Sequence, residues 1–164
     1  MMQKKNREET VVHTFQPVYD ENSRVLILGT MPSPKSREQG FYYGHPRNRF
    51  WPVLADILGE PAPGTSLALR RRIAVWDVLA GCDICGADDS SIKNPVPNDM
   101  NVILSRADIR AVFTTGTKAD ELYERYCFYQ TEIASIRLPS TSPANCRTSY
   151  EELRAAYSQI LKYL

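Results

Sequence analysis

Short apolar runs alternate along the chain with segments in which apolar residues recur three or four positions apart. The runs predict strands that are buried on both faces of a sheet, and the recurring segments predict amphipathic helices. Strands are expected at residues 25–28, 73–79, 111–115 and 133–138, with a short edge strand at 11–15. Helices are expected at residues 50–58, 65–72, 99–105, 117–126 and 150–163.

The order of these elements predicts the fold class. Strand and helix alternate four times, which indicates a three-layer α/β/α domain with a central, mostly parallel four-stranded sheet. We expect a flexible tail over residues 1–10 and a single domain over residues 11–164. Residues 80–97, rich in Gly, Asp, Ser and Pro, are expected to form a long loop.

Side chains that can cap helices stand at several of the predicted helix starts. Thr65 or Ser66 is expected to cap the helix that runs to residue 72, and Asn98 the helix after it. Ser149 is expected to cap the last helix, and Glu152 would complete a capping box with it.

Two loops carry the candidate chemistry, and each follows a predicted buried strand. Gly29 ends the first strand, and residues 139–145 form the second loop. Loops at the carboxyl ends of parallel strands are the usual ligand site of an open α/β sheet. The first loop leads into a cluster of aromatic rings, cations and an amide, which suits a nucleobase and its phosphate, although such rings can equally fill the core. The cluster consists of Phe41, Tyr42, Tyr43, His45, Arg47, Asn48, Arg49, Phe50 and Trp51.

Both loops resemble the motifs of a known family. The segments GTMPS (29–33) and YYGHPRNRFW (42–51) resemble the first motif of the uracil-DNA glycosylase superfamily, and most closely that of its hypoxanthine (deoxyinosine) DNA glycosylase branch. The segment LPSTSPAN (138–145) is similar to the second motif of that branch. Weaker likenesses between the motifs extend the resemblance over most of residues 24–146. It implies a uracil-DNA glycosylase-like fold and hydrolysis of the bond between a damaged base and its sugar, after the nucleotide is flipped out of DNA.

By this resemblance, Asn48 carries catalysis, because its carboxamide can orient water and contact the sugar or base without a proton to lose. Tyr43 or Phe50 is expected to stack on the flipped ring, and His45 to hydrogen-bond a base oxygen or to hold the loop. Asn48 could instead cap the helix that begins at Phe50. The expected base pocket consists of Gly29, Thr30, Met31, Pro32, Ser33, Tyr43, His45 and Phe50.

The same resemblance places DNA contacts in both loops. Serines of the second loop are expected to contact phosphates or to support a wedge in the minor groove, although serines between prolines also build ordinary turns. The net charge is only +1, so any positive surface for DNA must be local. Residues 70–72 (RRR) form either such a patch or the end of a helix. The expected DNA-binding residues are Lys35, Arg47, Arg49, Ser140, Thr141, Ser142 and Pro143.

The chain departs from other branches of the family at both motifs. Thr30 and Met31 stand where other branches have an acid or Asn, and Ser33 replaces a common glycine. Leu138 stands where others have His or Asn just before Pro-Ser. These departures argue against efficient excision of uracil and fit the hypoxanthine branch, but they leave the stabilisation of the leaving base unexplained.

We therefore expect an enzyme that removes hypoxanthine from DNA. It should be monofunctional, because the catalytic segment has no lysine for a Schiff base and Lys35 is the nearest. A uracil or broad deaminated-base glycosylase stays open, as does a non-catalytic nucleic-acid-binding module, which the amide of Asn48 disfavours.

Composition bounds the remaining expectations. The chain has 164 residues, 43% of them hydrophobic and 24% charged, as in a globular domain. It has no apolar run of membrane-spanning length and no apolar signal segment, so we expect a cytoplasmic protein, and a monomer. Cys82 and Cys85 form one CxxC pair, which is too little for a metal site, so we expect ordinary thiols and no cofactor.

Overall fold

The computed structural model describes residues 7–13, 15–61 and 64–164. Its strands are β1 (Glu8–Val12), β2 (Val25–Gly29), β3 (Ile73–Asp77), β4 (Leu79–Cys85), β5 (Asp88–Pro97), β6 (Ala111–Thr115) and β7 (Ser135–Leu138). Its helices are α1 (Pro34–Gln39), α2 (Phe50–Leu58), α3 (Thr65–Arg70), α4 (Asn101–Leu104), α5 (Thr117–Tyr126), α6 (Phe128–Thr131) and α7 (Tyr150–Tyr157), followed by a 3-10 helix at Ser158–Tyr163.

The main sheet has four parallel strands in the order β3-β2-β6-β7. Every residue of β2 and of β3 is buried, as expected of strands covered on both faces. Helices α3, α5 and α7 pack against strands of this sheet, and α2 packs against α7. The predicted three-layer α/β/α fold with its parallel four-stranded sheet is thereby confirmed. Because all four strands run the same way, their carboxyl ends meet at one edge.

A second sheet was not predicted. It has three antiparallel strands in the order β1-β4-β5, and β4 and β5 form a hairpin across residues 79–97. The expected long loop is therefore wrong. Strand β5 is polar and largely exposed, so it lacks the apolar alternation that marks a strand, and main-chain pairing to β4 holds it in place. As an edge strand it also tolerates its two prolines, Pro95 and Pro97.

The first strand is shifted relative to its prediction. β1 begins at Glu8 and ends at Val12, so it takes in residues 8–10, which the sequence assigned to a flexible tail, and stops short of Phe15. These residues are ordered by antiparallel pairing with β4, from Glu8 opposite Cys85 to Val12 opposite Gly81. Residues 1–6 of the expected tail lie outside the described residues.

Helices α2 and α5 have the predicted bounds, and two short helices, α1 and α6, were missed. Helix α1 lies within the first loop, where Ser33 Oγ accepts the N–H of Ser36 at 3.2 Å and Pro34 occupies the first turn. Two expected caps are wrong. Gly64 precedes α3 and no side chain caps it, so Thr65 is simply its first residue. The amide of Asn98 donates to the carbonyl oxygen of Asp77 at 2.9 Å instead of capping α4.

Ser149 caps the last helix, as predicted. Its Oγ accepts the N–H of Glu152 at 3.1 Å, and its hydroxyl lies 3.1 Å from the Glu152 carboxylate. We expect Ser149→Ala to lower the free energy of unfolding by about 1 kcal/mol, because the orphan N–H at the helix start loses its acceptor. Urea denaturation of the full chain measures this loss.

Thr65→Ala is the matched control, because Thr65 also stands at the start of a helix but makes no capping bond. Its free energy of unfolding should stay within about 0.5 kcal/mol of the wild type. Equal losses for the two variants would contradict the capping assignment.

Candidate active site

A cavity of about 270 Å³ opens at the carboxyl edge of the main sheet. Three segments meet there: the loop after β2, the loop after β7, and the turn of the β4–β5 hairpin. The volume lies just below the range of about 300–1,000 Å³ typical of drug-sized ligands, so it suits a single flat ring system. The lining residues that the sequence predicted are Gly29, Thr30, Met31, Pro32, Ser33, Tyr43, His45, Asn48, Ser140, Thr141, Ser142 and Pro143.

A close approach of two strand ends forms one wall. Gly29 ends β2 and pairs in register with Asp77 at the end of β3. A Cβ on Gly29 would lie 2.5 Å from Asp77 Oδ1 and 3.0 Å from the Tyr43 hydroxyl. The first distance is shorter than real Cβ atoms show and the second is tighter than most of their contacts, so glycine is required for Asp77 to line the cavity.

A histidine from outside the main sheet holds that carboxyl group. His13 Nδ1 accepts the N–H of Phe15 at 3.2 Å, so the proton of the neutral ring is on Nε2. That Nε2–H donates to Asp77 Oδ2 at 2.8 Å, with both side chains buried. One oxygen of Asp77 is thus fixed by His13, and its other oxygen lies against Gly29. Sequence reasoning left Asp77 undecided and missed His13, because the contact joins residues 64 positions apart.

Asn48 lies at the cavity with its amide oriented. Its Oδ1 accepts the N–H of Phe50, the first residue of α2, at 2.9 Å. Asn48 stands one residue before the N-cap Arg49, and it satisfies an N–H group that has no partner within the helix. A backbone N–H cannot donate to an amide nitrogen, so the oxygen must face the helix and the Nδ2 group remains as a donor. Nδ2 donates to no acceptor within the described residues.

The aromatic cluster divides between cavity and core. Tyr43 lines the cavity with φ of 54°, and its hydroxyl lies 3.2 Å from Thr115 Oγ1. Its ring stacks on Phe50, with centroids 3.8 Å apart and planes at 17°. Phe50 is fully buried between Tyr43, Trp51 and Tyr157, so it cannot stack on a base. That expectation for Phe50 is corrected: it supports Tyr43 from behind.

His45 also lines the cavity in a defined orientation. Its Nδ1 accepts the N–H of Arg47 at 3.0 Å, so the proton of the neutral ring is on Nε2. The hydrogen bond from Arg47 fixes the orientation of the His45 ring within its own loop. The Nε2–H group is then available to donate to a ligand.

Arg49 holds the second loop against the first. Its guanidinium donates to the carbonyls of Thr148 at 2.8 Å and Asn145 at 2.9 Å, and its backbone N–H donates to the carbonyl of Thr141 at 3.2 Å. This corrects the expectation that Arg49 is free to bind a phosphate. Thr141 is 1% exposed, so it also positions the loop and does not reach out to DNA.

The serines of the second loop make turns. Ser140 Oγ accepts the N–H of Ser142, and Ser142 Oγ accepts the N–H of Ala144, at 3.1 and 3.2 Å. Asn145 donates to the carbonyl of Ser140 at 2.9 Å. The loop is therefore built by local side-chain bonds, and both serine hydroxyls keep a hydrogen to donate.

The expected basic residues have different surroundings. Arg47 is exposed, and Lys35 is half-exposed with its ammonium 3.5 Å from Glu38. Arg70 and Arg71 lie at the end of α3 and pair with Glu60, which agrees with the helix-end interpretation of that cluster.

The hairpin contributes a wall that the sequence did not reveal, consisting of Ile84, Gly86, Ala87 and Asp89. Asp89 stands at the start of β5, where the residue as a whole is exposed to solvent, but its carboxyl group lies at the cavity beside Thr30 of the first loop and is partly desolvated there. Burial of that group raises its pKa, and the negative charge of Asp77 raises it further, while a hydrogen bond from Thr30 acts the other way. Burial and the charge of Asp77 likewise raise the pKa of Tyr43, so its hydroxyl stays neutral.

The CxxC pair is not arranged as a chelate. Cys82 is buried and Cys85 is half-buried in β4, and neither is in a disulfide. Within residues 7–13, 15–61 and 64–164, no three Cys, His, Asp or Glu side chains are grouped as metal ligands. None of the helices described in that part of the chain is long and apolar enough to cross a membrane.

The fold and the site define a class: a parallel α/β/α domain with a base-sized cavity between two motif loops at the carboxyl edge. A model of the uracil DNA glycosylase superfamily matches residues 16–164. The chain belongs to the uracil DNA glycosylase superfamily.

Particular relatives lie within that superfamily. A hypoxanthine DNA glycosylase of Methanosarcina barkeri (strain Fusaro) is 35% identical over 158 residues, which cover 90% of this chain and 96% of that protein. A protein of the same name from Methanosarcina acetivorans is 34% identical over 145 residues, covering 82% and 89%. The solution NMR structure of a "putative Uracil DNA glycosylase" from Methanosarcina acetivorans has a TM-score of 0.75 and 31% identity, and the match covers 93% of this chain and 99% of that one.

We expect Arg49→Ala to lower the free energy of unfolding by about 1.5–3 kcal/mol, the size of a hydrogen bond to a charged group. Arg49→Lys should not restore the loss, because one ammonium cannot reproduce the fork that reaches both carbonyls. Urea denaturation measures both variants. Arg47→Ala, an exposed neighbour, is the control and should stay within about 0.5 kcal/mol; an equal loss there would contradict the loop-holding role.

Gly29→Ala should lower the free energy of unfolding by about 1–3 kcal/mol, because its methyl group would overlap the Asp77 carboxyl. Adding Asp77→Ala removes the overlapping atom, so the double variant should lose less than the sum of the single variants. Thermal unfolding of the wild type, the two single variants and the double variant gives the coupling free energy between positions 29 and 77. Strict additivity would mean that the two positions do not clash.

Proposed function

We propose that this protein is a monofunctional DNA glycosylase that hydrolyses the bond between hypoxanthine and deoxyribose in DNA. The observation that carries the proposal is the oriented amide of Asn48, whose free Nδ2–H points to a base-sized cavity between the two motif loops. The names of the two relatives that align over most of their length support hypoxanthine as the base.

Access to the cavity requires the nucleotide to leave the duplex. The anomeric carbon of a stacked base is hidden, so the enzyme flips the nucleotide and holds its base in the pocket. Tyr43, braced by Phe50, offers the aromatic surface for that base, and one such stack contributes about 1–3 kcal/mol. Ser140, Ser142 and Pro143 line the cavity, and in this proposal they contact the DNA backbone together with Lys35 of α1 and the exposed Arg47.

The residues at the site then divide the chemistry. As the bond breaks, positive charge grows on the sugar, and the Asp77 carboxylate, held by His13, lies near enough to the pocket to oppose it. The Nδ2–H donor of Asn48 and the Nε2–H donor of His45 hold the water or the base edge. None of these groups has to change its hydrogen bonds inside the protein to act.

The lining of the cavity supports hydrolysis by water, without a covalent amine intermediate. Within the described residues the cavity is lined by no lysine, and Lys35 of the first loop faces Glu38. The substrate of this proposal is DNA with a deaminated base, and we place the protein in the cytoplasm as a monomer without cofactor.

The test is alkali-induced strand cleavage of labelled duplexes that contain one deoxyinosine or one deoxyuridine. The wild type should cleave the deoxyinosine strand. Asn48→Ala should lower that rate by about 100-fold or more, the effect of removing one fixed donor to the transition state. Asn22→Ala, an exposed turn residue, is the control and should behave as wild type.

Asn48→Asp separates catalysis from capping. An aspartate keeps the oxygen that accepts the Phe50 N–H but has no amide hydrogens. It should therefore unfold like the wild type yet lose deoxyinosine cleavage as Asn48→Ala does. Full activity of Asn48→Asp would refute the donor role. Cleavage of deoxyuridine alone would make the protein a uracil glycosylase, and DNA binding without any cleavage would make it a binding module.

A further inference from the structure

The cavity holds two carboxyl groups and no cationic side chain among its described lining residues. Asp77 closes one wall and Asp89 the wall made by the hairpin, and the other polar groups are hydroxyls, Asn48 and His45. An anion departing beside two carboxylates is disfavoured, since like charges repel more strongly in a partly dry site than in water. The base must therefore leave with its charge neutralised.

The residue just before the second loop offers no hydrogen-bond donor to the base. Leu138 is fully buried at the end of β7 and is not one of the residues that line the cavity. It can neither donate a hydrogen bond to the departing base nor balance its charge. The wall made by the hairpin holds an ionisable group, Asp89, that the proposed mechanism has not used.

We propose that Asp89 is the general acid of this reaction and that it protonates a ring nitrogen of the departing purine. The inference rests on the proposed glycosidase function. The bond from C1′ to N9 breaks and its electron pair stays on the purine. The Asp89 proton moves to N7 or N3, so hypoxanthine leaves as a neutral molecule. Water then adds to C1′ and loses a proton to solvent, and the Asp89 carboxylate takes up another proton.

The surroundings of the two carboxyl groups suit them to different roles. Asp77 accepts a 2.8 Å hydrogen bond from the buried ring of His13, whereas Asp89 has the hydroxyl group of Thr30 beside it. Burial raises the pKa of Asp89, and so do the charges of Asp77 and Asp88, against the opposing effects of Thr30 and Lys118. Asp89 therefore holds its proton to a higher pH than an ordinary aspartate does. A carboxyl group whose surroundings raise its pKa is suited to act as a general acid.

The same arrangement bears on the choice of base. A purine joined to deoxyribose keeps basic nitrogens at N7 and N3, whereas uracil has no comparably basic ring nitrogen. Acid assistance by Asp89 therefore lowers the barrier for hypoxanthine more than for uracil.

The test is single-turnover excision of hypoxanthine by the full chain, measured between about pH 5 and pH 9. The wild-type rate should fall as pH rises through the pKa of Asp89, because only the protonated form is active. Asp89→Asn should lower the low-pH rate by about 100-fold or more and abolish the fall with pH. Asp89→Glu keeps an acid and should retain the fall at a reduced rate.

Asp88→Asn is the matched control. Asp88 is the neighbouring carboxylate on the same strand, but it accepts bonds from Ser90 and does not line the cavity. Its rate at low pH should stay within about threefold of the wild type, too small a change for loss of a general acid, and its fall with pH should move slightly lower because the charge of Asp88 no longer raises the pKa of Asp89. Thermal unfolding and binding to deoxyinosine DNA check that each variant is folded.

The outcomes separate the two proposals. A wild type that excises nothing overturns the glycosidase function and this inference together. A wild type that excises hypoxanthine while Asp89→Asn keeps its rate or its fall with pH overturns only the role of Asp89. Should Asp89→Asn fail to fold, the Asp89→Glu profile decides, and a flat profile would overturn the inference.

Discussion

The absence of a side chain at Gly29 is the constraint on which the site depends. Strands β2 and β3 are paired so that Gly29 lies beside Asp77, and any Cβ there would occupy the space of the Asp77 carboxyl and approach the Tyr43 hydroxyl. With hydrogen in that place, a carboxylate and a phenol reach the cavity from two different elements. His13 follows β1 of the second sheet, so its bond to Asp77 ties the small sheet to the site of the large one.

The start of α2 shows how consecutive residues serve three purposes. Successive residues at a helix start point about 100° apart, so neighbours face different surroundings. Asn48 faces the cavity, Arg49 reaches the loop after β7, and Phe50 enters the core behind Tyr43. The motif therefore fixes a donor, the partner loop and the stacking surface together, and a shift of this helix start would disturb all three.

The parts of the fold that could be predicted are those in which local pattern and burial agree. Strands β2 and β3 are apolar because both of their faces are covered, β6 is buried over most of its length, and α2 and α5 have clear amphipathic periodicity. The hairpin was missed for the opposite reason: β5 is polar and exposed, and its order comes from main-chain pairing that leaves no apolar signature. Because the hairpin was not predicted, no local pattern indicated that Asp89 would lie beside the first loop.

Side-chain direction decides which of the predicted site residues can reach the cavity. The motif located the cavity, but it did not indicate that the Arg49 fork would turn inward to two carbonyls or that the Phe50 ring would be covered on both sides. Nor did it reveal the contact of His13 with Asp77, because nothing local marks a pairing between residues so distant in the chain. Residue type suggests a chemistry, whereas the direction of the side chain decides whether the group is available for it.

The charge of the cavity connects these structural details to the choice of base. Leu138 cannot donate a hydrogen bond that would stabilise an anionic base. The site must therefore lower the charge of the leaving group by another route. A hairpin that places a partly buried carboxyl group beside Thr30 provides that route, and it favours a leaving group that can accept a proton. Leu138 at the end of β7 and Asp89 at the start of β5 therefore favour the same kind of leaving group, a purine that can accept a proton.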